Sequence, residues 1–140
     1  MTTPAHSASP KTHTGGCHCG AVRYEADVDP ATGTMCNCTV CAKLAVVGAI
    51  LKPAQFRLVQ GEDALASYVW GHKIGERKFC KHCGTHCFAP GHLDMLGGDY
   101  VSVNLNTLDD FDLSKIKLGY WDGRHNNWQA GLRDTPWPVA

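Results

Sequence analysis

Hydrophobic and polar residues alternate along three short stretches of the chain, a period-two pattern that is typical of half-buried β-strands. Clear helical periodicity is hard to find, and the best candidates for helical turns follow Cys38 and the Asp109 and Asp110 pair. Because clusters of Gly, Pro and Asp separate the short strands, we predict a mostly β fold of small curled antiparallel sheets. The alternating apolar residues are Val22, Tyr24 and Ala26, then Phe56 and Leu58, and finally Val101, Val103 and Leu105.

A turn-forming segment, QGED at 60–63, lies between the strand around Phe56 and the apolar stretch ALASYVW. Gly and Asp are common in tight turns that join neighbouring strands. The sequence therefore predicts a β-hairpin at the centre of the chain, with these two strands as its arms.

The N-terminal stretch differs in composition from the rest of the chain. MTTPAHSASPKTHTGG is rich in Ser, Thr, Pro and Gly, and it has no apolar run of the kind that a secretory signal needs. We predict a disordered tail at residues 1–14 and a single domain at residues 15–140, a length that suits one ordinary core. The longest apolar run, LAVVGAIL, has eight residues and is too short to cross a membrane. The expected location is the cytoplasm.

Charge is balanced, with 13 basic and 13 acidic side chains. Such a balance gives no strong field that would draw the protein toward phosphate backbones or anionic lipid. We therefore expect neither nucleic acid nor a membrane as the main partner. The sequence carries no signal for an oligomeric state.

Eight cysteines are grouped in short motifs, and in a reducing compartment clustered thiols bind metal more often than they form disulfides. In GCHCG, Cys17 and Cys19 are two residues apart, so on an extended backbone both thiols project from one face. In FCKHCGT, Cys80 and Cys83 have the CxxC spacing, followed by a Gly that is typical of a zinc-binding turn. Four thiolates are the number that a closed structural zinc site needs, so we predict one such site from these two pairs.

The third group, CNCTVC, offers Cys36, Cys38 and Cys41 within one short loop and has no obvious fourth ligand. An open coordination position is typical of catalytic zinc sites, where water or substrate binds. Three thiolates donate more charge than three imidazoles, so a bound water would be less acidic and hydrolysis is not the favoured chemistry. A thiolate-rich zinc instead favours a further sulfur ligand, and we predict that this site binds a small thiol such as glutathione.

A different assignment makes both zinc sites structural, with Cys87 completing the second one. On a predicted strand Cys87 faces opposite to the core candidate Phe88, which leaves a contact with the second metal open. We favour Cys87 as an ordinary buried residue, because free cysteine often packs as a small hydrophobic group.

Basic residues near these motifs are candidate ligand contacts. Lys43 lies two places beyond Cys41 and is predicted to pair with a carboxylate of glutathione, the alternative being a solvated lysine on a loop. His72, Lys73 and Arg77 precede the CxxC turn. They either meet an anionic ligand or, in the interpretation that we favour, form a surface stretch.

Three histidines and the segment around the C-terminal DG turn complete the candidates. His18 and His82 lie inside the cysteine motifs and are predicted to point outward as bystanders. His86 is predicted to pack in or beside the core, with proton transfer at an open zinc as the alternative. The DG segment, with its two tryptophans, predicts a strand and loop that fold back on the core, and ligand contact by Arg124 or Trp128 is the alternative.

Taken together, these motifs resemble the glutathione-dependent formaldehyde-activating enzyme family, the group that also contains centromere protein V. The likeness covers roughly residues 15–129 and includes seven cysteines at three spacings. The matching stretches are GCHCGAVRYE, CNCTVC, FRLVQGEDALASY, FCKHCGTHCF, VSVNLNTLDD and WDGRHNNW.

The resemblance implies an Mss4-like β fold around two zinc sites. By the family pattern four cysteines hold a structural zinc and three hold a labile, catalytic one, the two sets being Cys17, Cys19, Cys80 and Cys83, and Cys36, Cys38 and Cys41. The implied activity is that of a carbon–sulfur lyase, the reversible joining of glutathione and formaldehyde to S-(hydroxymethyl)glutathione. The rival interpretation is a noncatalytic, zinc-stabilised binding or scaffold module in which the second zinc only braces a loop.

Overall fold

The computed structural model describes residues 11–70 and 75–140, and within these ranges the chain forms two β-sheets and one short α-helix. The strands in chain order are β1 (Lys11–Gly16), β2 (Arg23–Val28), β3 (Thr34–Cys36), β4 (Gly48–Leu51), β5 (Phe56–Gln60), β6 (Leu65–Tyr68), β7 (Arg77–Cys80), β8 (His86–Leu93), β9 (Gly98–Asn104) and β10 (Gly119–Trp121). A three-stranded sheet has the order β1-β2-β5, and a seven-stranded sheet has the order β10-β3-β4-β9-β8-β7-β6. Neighbouring strands pair antiparallel except β10 and β3, which run parallel. The predicted mostly β fold of small sheets is confirmed.

Alternating burial explains the strands that the hydrophobic pattern predicts. In β2, Tyr24, Ala26 and Val28 are each at most 2% exposed, and the residues between them are half-buried. In β9, Val101 and Val103 belong to the same core. The predicted strands at these positions are therefore confirmed, and each buried aliphatic side chain contributes about 1.5–3 kcal/mol to folding.

Aromatic rings join the two sheets at the core. Phe56 of β5 packs against Tyr24 of β2, with ring centroids 5.3 Å apart, and against Phe88 of β8, with centroids 4.5 Å apart. The Tyr24 hydroxyl forms a buried 2.6 Å hydrogen bond with the Thr107 hydroxyl. Because Thr107 donates its own proton to the Asn104 carbonyl, Tyr24 is the donor in this pair. Burial raises the pKa of Tyr24, so the hydroxyl keeps the proton that it donates.

The predicted central hairpin is wrong, because the strands on either side of residues 60–63 belong to different sheets. β5 pairs with β2, and β6 pairs with β7. Gly61 has φ 95°, a left-handed conformation that glycine adopts without steric strain, and a short 3-10 turn follows at Glu62–Ala64. The turn therefore passes the chain from one sheet to the other instead of folding it back on itself.

The N-terminal boundary also differs from the prediction. Residues 11–14, which the sequence assigns to a disordered tail, form part of β1 and pair with β2. The Asp109 carboxylate accepts hydrogen bonds from the Thr14 hydroxyl and from the Arg23 guanidinium, which tie this hairpin to the loop after β9. A polar strand of this kind is held by backbone hydrogen bonds and shows little hydrophobic pattern. Residues 1–10 lie outside the described part of the chain.

The helical turn predicted after Cys38 is present as α1 (Thr39–Leu44). Cys38 caps this helix, since its Sγ accepts a hydrogen bond from the Cys41 N–H at 3.4 Å, and the helix ends at Ala45 in a left-handed conformation with φ 54°. A six-residue helix is not stable alone, so its position depends on the loop that anchors it. The second predicted turn corresponds to a 3-10 turn at Leu113–Lys115. Among the described residues, no helix combines the length and the apolar character that crossing a membrane requires.

Candidate metal centres

The first cluster consists of Cys17, Cys19, Cys80 and Cys83, whose Sγ atoms all lie within 4.8 Å of one another. The Sγ atoms of Cys17 and Cys19 are 3.6 Å apart, and those of Cys19 and Cys80 are 3.7 Å apart. A tetrahedral zinc with Zn–S bonds of ~2.3 Å separates its sulfur atoms by about 3.8 Å. The four thiols therefore fit a zinc ion with a complete set of protein ligands.

Two glycine-containing turns position these thiols. Cys17 and Cys19 lie in the turn between β1 and β2, where the Gly20 N–H donates to the Cys17 carbonyl at 3.2 Å. The extended backbone assumed from the sequence is therefore wrong here, and the thiols converge because the chain turns. Cys80 ends β7, and the Gly84 N–H donates to its carbonyl at 2.7 Å. Both glycines have positive φ, 85° and 78°, which a larger residue adopts only with strain.

Backbone N–H groups donate hydrogen bonds to the sulfur atoms of this cluster. The Val22 N–H donates to Cys17 Sγ at 3.2 Å, and the His82 N–H donates to Cys80 Sγ at 3.4 Å. A hydrogen bond with a neighbouring threonine hydroxyl lowers the pKa of Cys83 to about 5. Such donors favour the thiolate, which is the form that binds metal.

Cys87 belongs to neither cysteine cluster of the described residues. Its side chain is fully buried in β8 and packs in the hydrophobic core, which agrees with the favoured interpretation. Burial, followed by the charge of nearby Cys17, raises the pKa of Cys87 to about 12. The assignment in which Cys87 completes the second site is therefore not supported. The side chains of His18 and His82 are exposed and also lie outside both clusters, as predicted.

The second cluster consists of Cys36, Cys38 and Cys41, whose Sγ atoms lie within 4.8 Å of one another. All three side chains are partly exposed. Among residues 11–70 and 75–140, no other Cys, His, Asp or Glu joins this group. Three thiols without a fourth protein ligand can hold zinc with one position free, the arrangement of catalytic zinc sites.

Arg77 is the member of the predicted basic stretch that the structure places at the second cluster. Its Nη2 donates to Cys41 Sγ at 3.5 Å, and its side chain is half-buried at the start of β7. For Arg77 the favoured interpretation as a surface stretch is therefore wrong. His72 and Lys73 lie outside the described residues.

Hydrogen bonds with Cys36 and Cys41 lower the pKa of Cys38, so at least one thiol of the cluster readily becomes a thiolate.

Asn37, in the middle of the CNCTVC motif, is held by a buried hydrogen-bond network. Its Nδ2 donates to Asp122 Oδ1 at 2.7 Å and to the Pro138 carbonyl at 3.0 Å. Arg124 donates from its backbone N–H to Asn37 Oδ1 at 3.0 Å, and from Nε to the Asn37 carbonyl at 2.8 Å. These contacts hold the backbone that carries the two flanking cysteines. No sequence motif singles out Asn37, and the DG turn is the one local signal for its partners.

The Asp122 carboxylate is the centre of this network. It is 4% exposed, and burial alone would raise its pKa. Hydrogen bonds from Asn37, His125 and Asn127 outweigh that effect and hold the pKa of Asp122 below its usual value. The carboxylate therefore keeps the negative charge that anchors the cysteine loop.

Gly123 lies directly against the second cluster. A Cβ atom at this position would be 2.5 Å from Cys36 Sγ and 2.7 Å from the Trp128 ring. The Trp128 ring packs in turn against Trp121, with centroids 5.9 Å apart. The predicted C-terminal strand is thus present as β10, and the loop after it folds onto the cysteine loop.

Lys43 and His86 lie at different distances from the surface. Lys43 is exposed in the last turn of α1, where its positive charge interacts favourably with the helix dipole.

His86 is half-buried on β8 and stacks on Phe79, with ring centroids 5.0 Å apart. Burial, and then the charge of Arg77, lowers the pKa of His86. A neutral imidazole packed in this way agrees with the predicted packing role.

A shallow surface depression of about 800 Å³ lies elsewhere on the molecule. It is lined by residues of the segments 115–119 and 132–134 together with Ala31, and it includes no cysteine of either cluster. This depression is therefore separate from the second cluster, whose three cysteine residues are themselves partly exposed.

Comparison with known proteins agrees with the cysteine pattern and with the fold. The crystal structure of a Rhodobacter sphaeroides protein is similar to this chain with a TM-score of 0.65 and 24% sequence identity, covering 89% of this chain and 99% of that one. At this identity the likeness shows a shared fold. The sequence model of the family described as glutathione-dependent formaldehyde-activating enzyme matches residues 12–123, a range that includes both cysteine clusters. The chain therefore belongs to the glutathione-dependent formaldehyde-activating enzyme family.

Proposed function

We propose that the protein is a zinc-dependent enzyme of the carbon–sulfur lyase type that forms and cleaves glutathione adducts of small aldehydes. The observation that carries this proposal is the second cluster, in which three partly exposed thiols converge without a fourth ligand from the described residues. Family membership supports glutathione and formaldehyde as the chemical class. In this proposal the first cluster holds a structural zinc, and a reducing cytoplasm keeps all eight cysteines out of disulfide bonds.

A zinc ion bound at the second cluster supplies Lewis acidity and an affinity for a further sulfur ligand. In the forward reaction the glutathione sulfur forms a bond to the aldehyde carbon, and the thiol proton is released. The π electron pair of the carbonyl moves to its oxygen, which takes up a proton. The reverse reaction breaks the same carbon–sulfur bond, so neither direction needs an oxidant or a reductant.

The contribution of the chain is to bring the two reactants together in a fixed arrangement. The sulfur atoms of Cys36, Cys38 and Cys41 lie within 4.8 Å of one another, and the hydrogen bonds of Asn37 keep that loop in place. Lys43, exposed two residues beyond the last ligand, provides a positive charge for a carboxylate of glutathione.

Exchange kinetics test this proposal, because the addition also proceeds without an enzyme. The rate at which free glutathione and S-(hydroxymethyl)glutathione interchange at equilibrium is measured by magnetisation-exchange NMR, with protein loaded with two zinc equivalents. We expect wild-type protein to accelerate the exchange. With the Cys38→Ser variant the exchange should run at the uncatalysed rate, although the variant should keep the far-UV circular dichroism spectrum of the wild type. The Cys87→Ala variant, which changes a cysteine outside both clusters, should remain active.

An exchange rate that zinc-loaded wild-type protein leaves at its uncatalysed value would refute the enzyme proposal and favour the noncatalytic binding module. Lys43 is tested separately. We expect Lys43→Ala to raise KM for glutathione about two- to fivefold with kcat unchanged, the size of an exposed ion pair. An unchanged KM would remove Lys43 from the site.

A further inference from the structure

Arg77 carries a guanidinium group that contacts a thiol and no carboxylate of the described residues. Its Nη2 lies 3.5 Å from Cys41 Sγ, and the ion pairs within residues 11–70 and 75–140 do not include it. The remaining segments, residues 1–10 and 71–74, contain no Asp or Glu in their sequence. The positive charge of Arg77 is therefore not offset by an acidic side chain.

The first cluster has a different electrostatic neighbour. Arg23 lies near enough to Cys17 to be influenced by its charge, but its two terminal nitrogens bond to the Asp109 carboxylate. The charge of Arg23 is thus already paired. The cluster with four cysteines has a paired arginine beside it, and the cluster with three cysteines has an unpaired one.

Charge counting shows what an unpaired arginine does at an open site. Zinc with three thiolates carries one net negative charge, and a neutral fourth ligand leaves that charge unchanged. A thiolate as the fourth ligand raises it to two negative charges, which a nearby cation stabilises by Coulomb attraction. Arg124 also lies at this loop, but its guanidinium bonds to the Asn37 carbonyl, whereas Arg77 contacts a ligand sulfur directly.

We propose that Arg77 determines the ligand preference of the three-cysteine site, making it select a thiolate over a neutral fourth ligand. This inference rests on the proposed function, because it needs a free coordination position at that site. In this inference Arg77 favours a negatively charged fourth ligand over a neutral one. Recognition of the rest of the glutathione molecule stays with other residues, such as Lys43.

Ligand titrations of the cobalt-substituted protein test the inference without measuring turnover. Cobalt(II) bound to thiolates gives sulfur-to-metal charge-transfer bands in the near ultraviolet, and these bands increase when another thiolate joins the metal. The probes are 2-mercaptoethanol, glutathione and neutral imidazole, all at one pH. The proteins are wild type, Arg77→Gln, Arg77→Lys and Lys78→Gln. Lys78 is the matched control because it follows Arg77 on β7 and already pairs with Glu76 at 3.1 Å.

We expect Arg77→Gln to weaken binding of both thiols by about 10- to 100-fold and to leave imidazole binding unchanged, as a Coulomb effect at short range predicts. Arg77→Lys keeps the charge and should retain most of the thiol affinity. Lys78→Gln should behave as wild type. The Lys variant also separates loss of charge from loss of the folded site.

Each other result overturns the inference in a recognisable way. Unchanged thiol affinity in Arg77→Gln overturns it and leaves the proposed function standing. If Arg77→Gln loses affinity only for glutathione, Arg77 binds a carboxylate of that substrate. If the variant loses affinity equally for thiols and imidazole, Arg77 instead holds the cysteine loop in place. Wild-type protein that shows no thiol-induced band refutes the proposed function, and the inference with it.

Discussion

Removing one cysteine from each cluster should reduce stability by different amounts, because the two clusters close very different lengths of chain. The first cluster links Cys19 to Cys80 across 61 positions, whereas the second spans only residues 36–41. By the loop-closure relation, a crosslink over ~60 residues is worth about 4 kcal/mol and one over ~5 residues about 2 kcal/mol. The larger value is a substantial part of a total stability of about 5–15 kcal/mol.

Cys80→Ser and Cys38→Ser are the matched perturbations, since both replace a sulfur ligand by a hydroxyl group. Cys80 is 0% exposed and Cys38 is partly exposed, so burial of an unpaired hydroxyl adds to the loss at Cys80. We expect Cys80→Ser to lose about 4 kcal/mol or more, and Cys38→Ser about 2 kcal/mol or less. Cys87→Ala is the control, because Cys87 is fully buried and lies outside both clusters.

Urea unfolding of the zinc-loaded proteins, followed by circular dichroism, gives these free energies. Repeating each titration with a zinc chelator isolates the zinc-dependent part of the stability. That part should be nearly abolished in Cys80→Ser, largely kept in Cys38→Ser and unchanged in Cys87→Ala. Equal losses in the two serine variants would refute the reasoning, because the second cluster would then brace the fold as strongly as the first.

Three further changes probe the loop of the second cluster and the half-buried imidazole of His86. Gly123→Ala places a methyl group against Cys36 Sγ and should speed zinc release to a chromogenic chelator. Gly48→Ala should not, because its Cβ would lie 3.4 Å from Ser102 Oγ, an ordinary contact; equal release rates in the two variants would contradict the role of the Gly123 contact. Asn37→Ala removes the hydrogen bonds that orient the loop and should lower the affinity for one of the two zinc ions by about 10- to 100-fold in a competition titration. An unchanged affinity would show that the network is dispensable for zinc binding. Because burial lowers the pKa of His86, the unfolded state takes up its proton first, and stability should fall as the pH drops through about 6.5. His86→Gln should flatten this fall in the urea midpoint, and an identical pH profile would exclude His86 as its source.

Much of the candidate site could be predicted from the sequence, because metal-ligand spacing is a local property. CxxC and CxC segments bring two thiols together through one turn, whichever fold surrounds them. The partnership of Cys17 and Cys19 with Cys80 and Cys83 joins distant segments, but the four-ligand requirement of zinc left these two pairs as the natural match. The backbone at Cys17 was nevertheless predicted wrongly, since a short motif does not show whether its thiols converge by extension or by turning.

Strand partners were harder to predict than strands. The alternating pattern identified β2, β5 and β9, because burial on one face leaves a period of two in the sequence. The turn at Gly61 carries the residues of a hairpin, yet it connects two sheets. Turn residues report the local backbone conformation, whereas strand pairing depends on hydrogen bonds to segments that are distant in sequence.

By itself, the amino-acid sequence determined the cysteine motifs, several of the strands and the family that the motifs resemble, because spacing within short segments carries these signals. The tertiary structure alone decided that Arg77 meets Cys41 across 36 positions and that Asn37 meets Asp122 across 85. Those contacts depend on strand order and register, which no local pattern records. The charge beside the open cluster, and the network that holds its loop, therefore became visible only when the chain was folded.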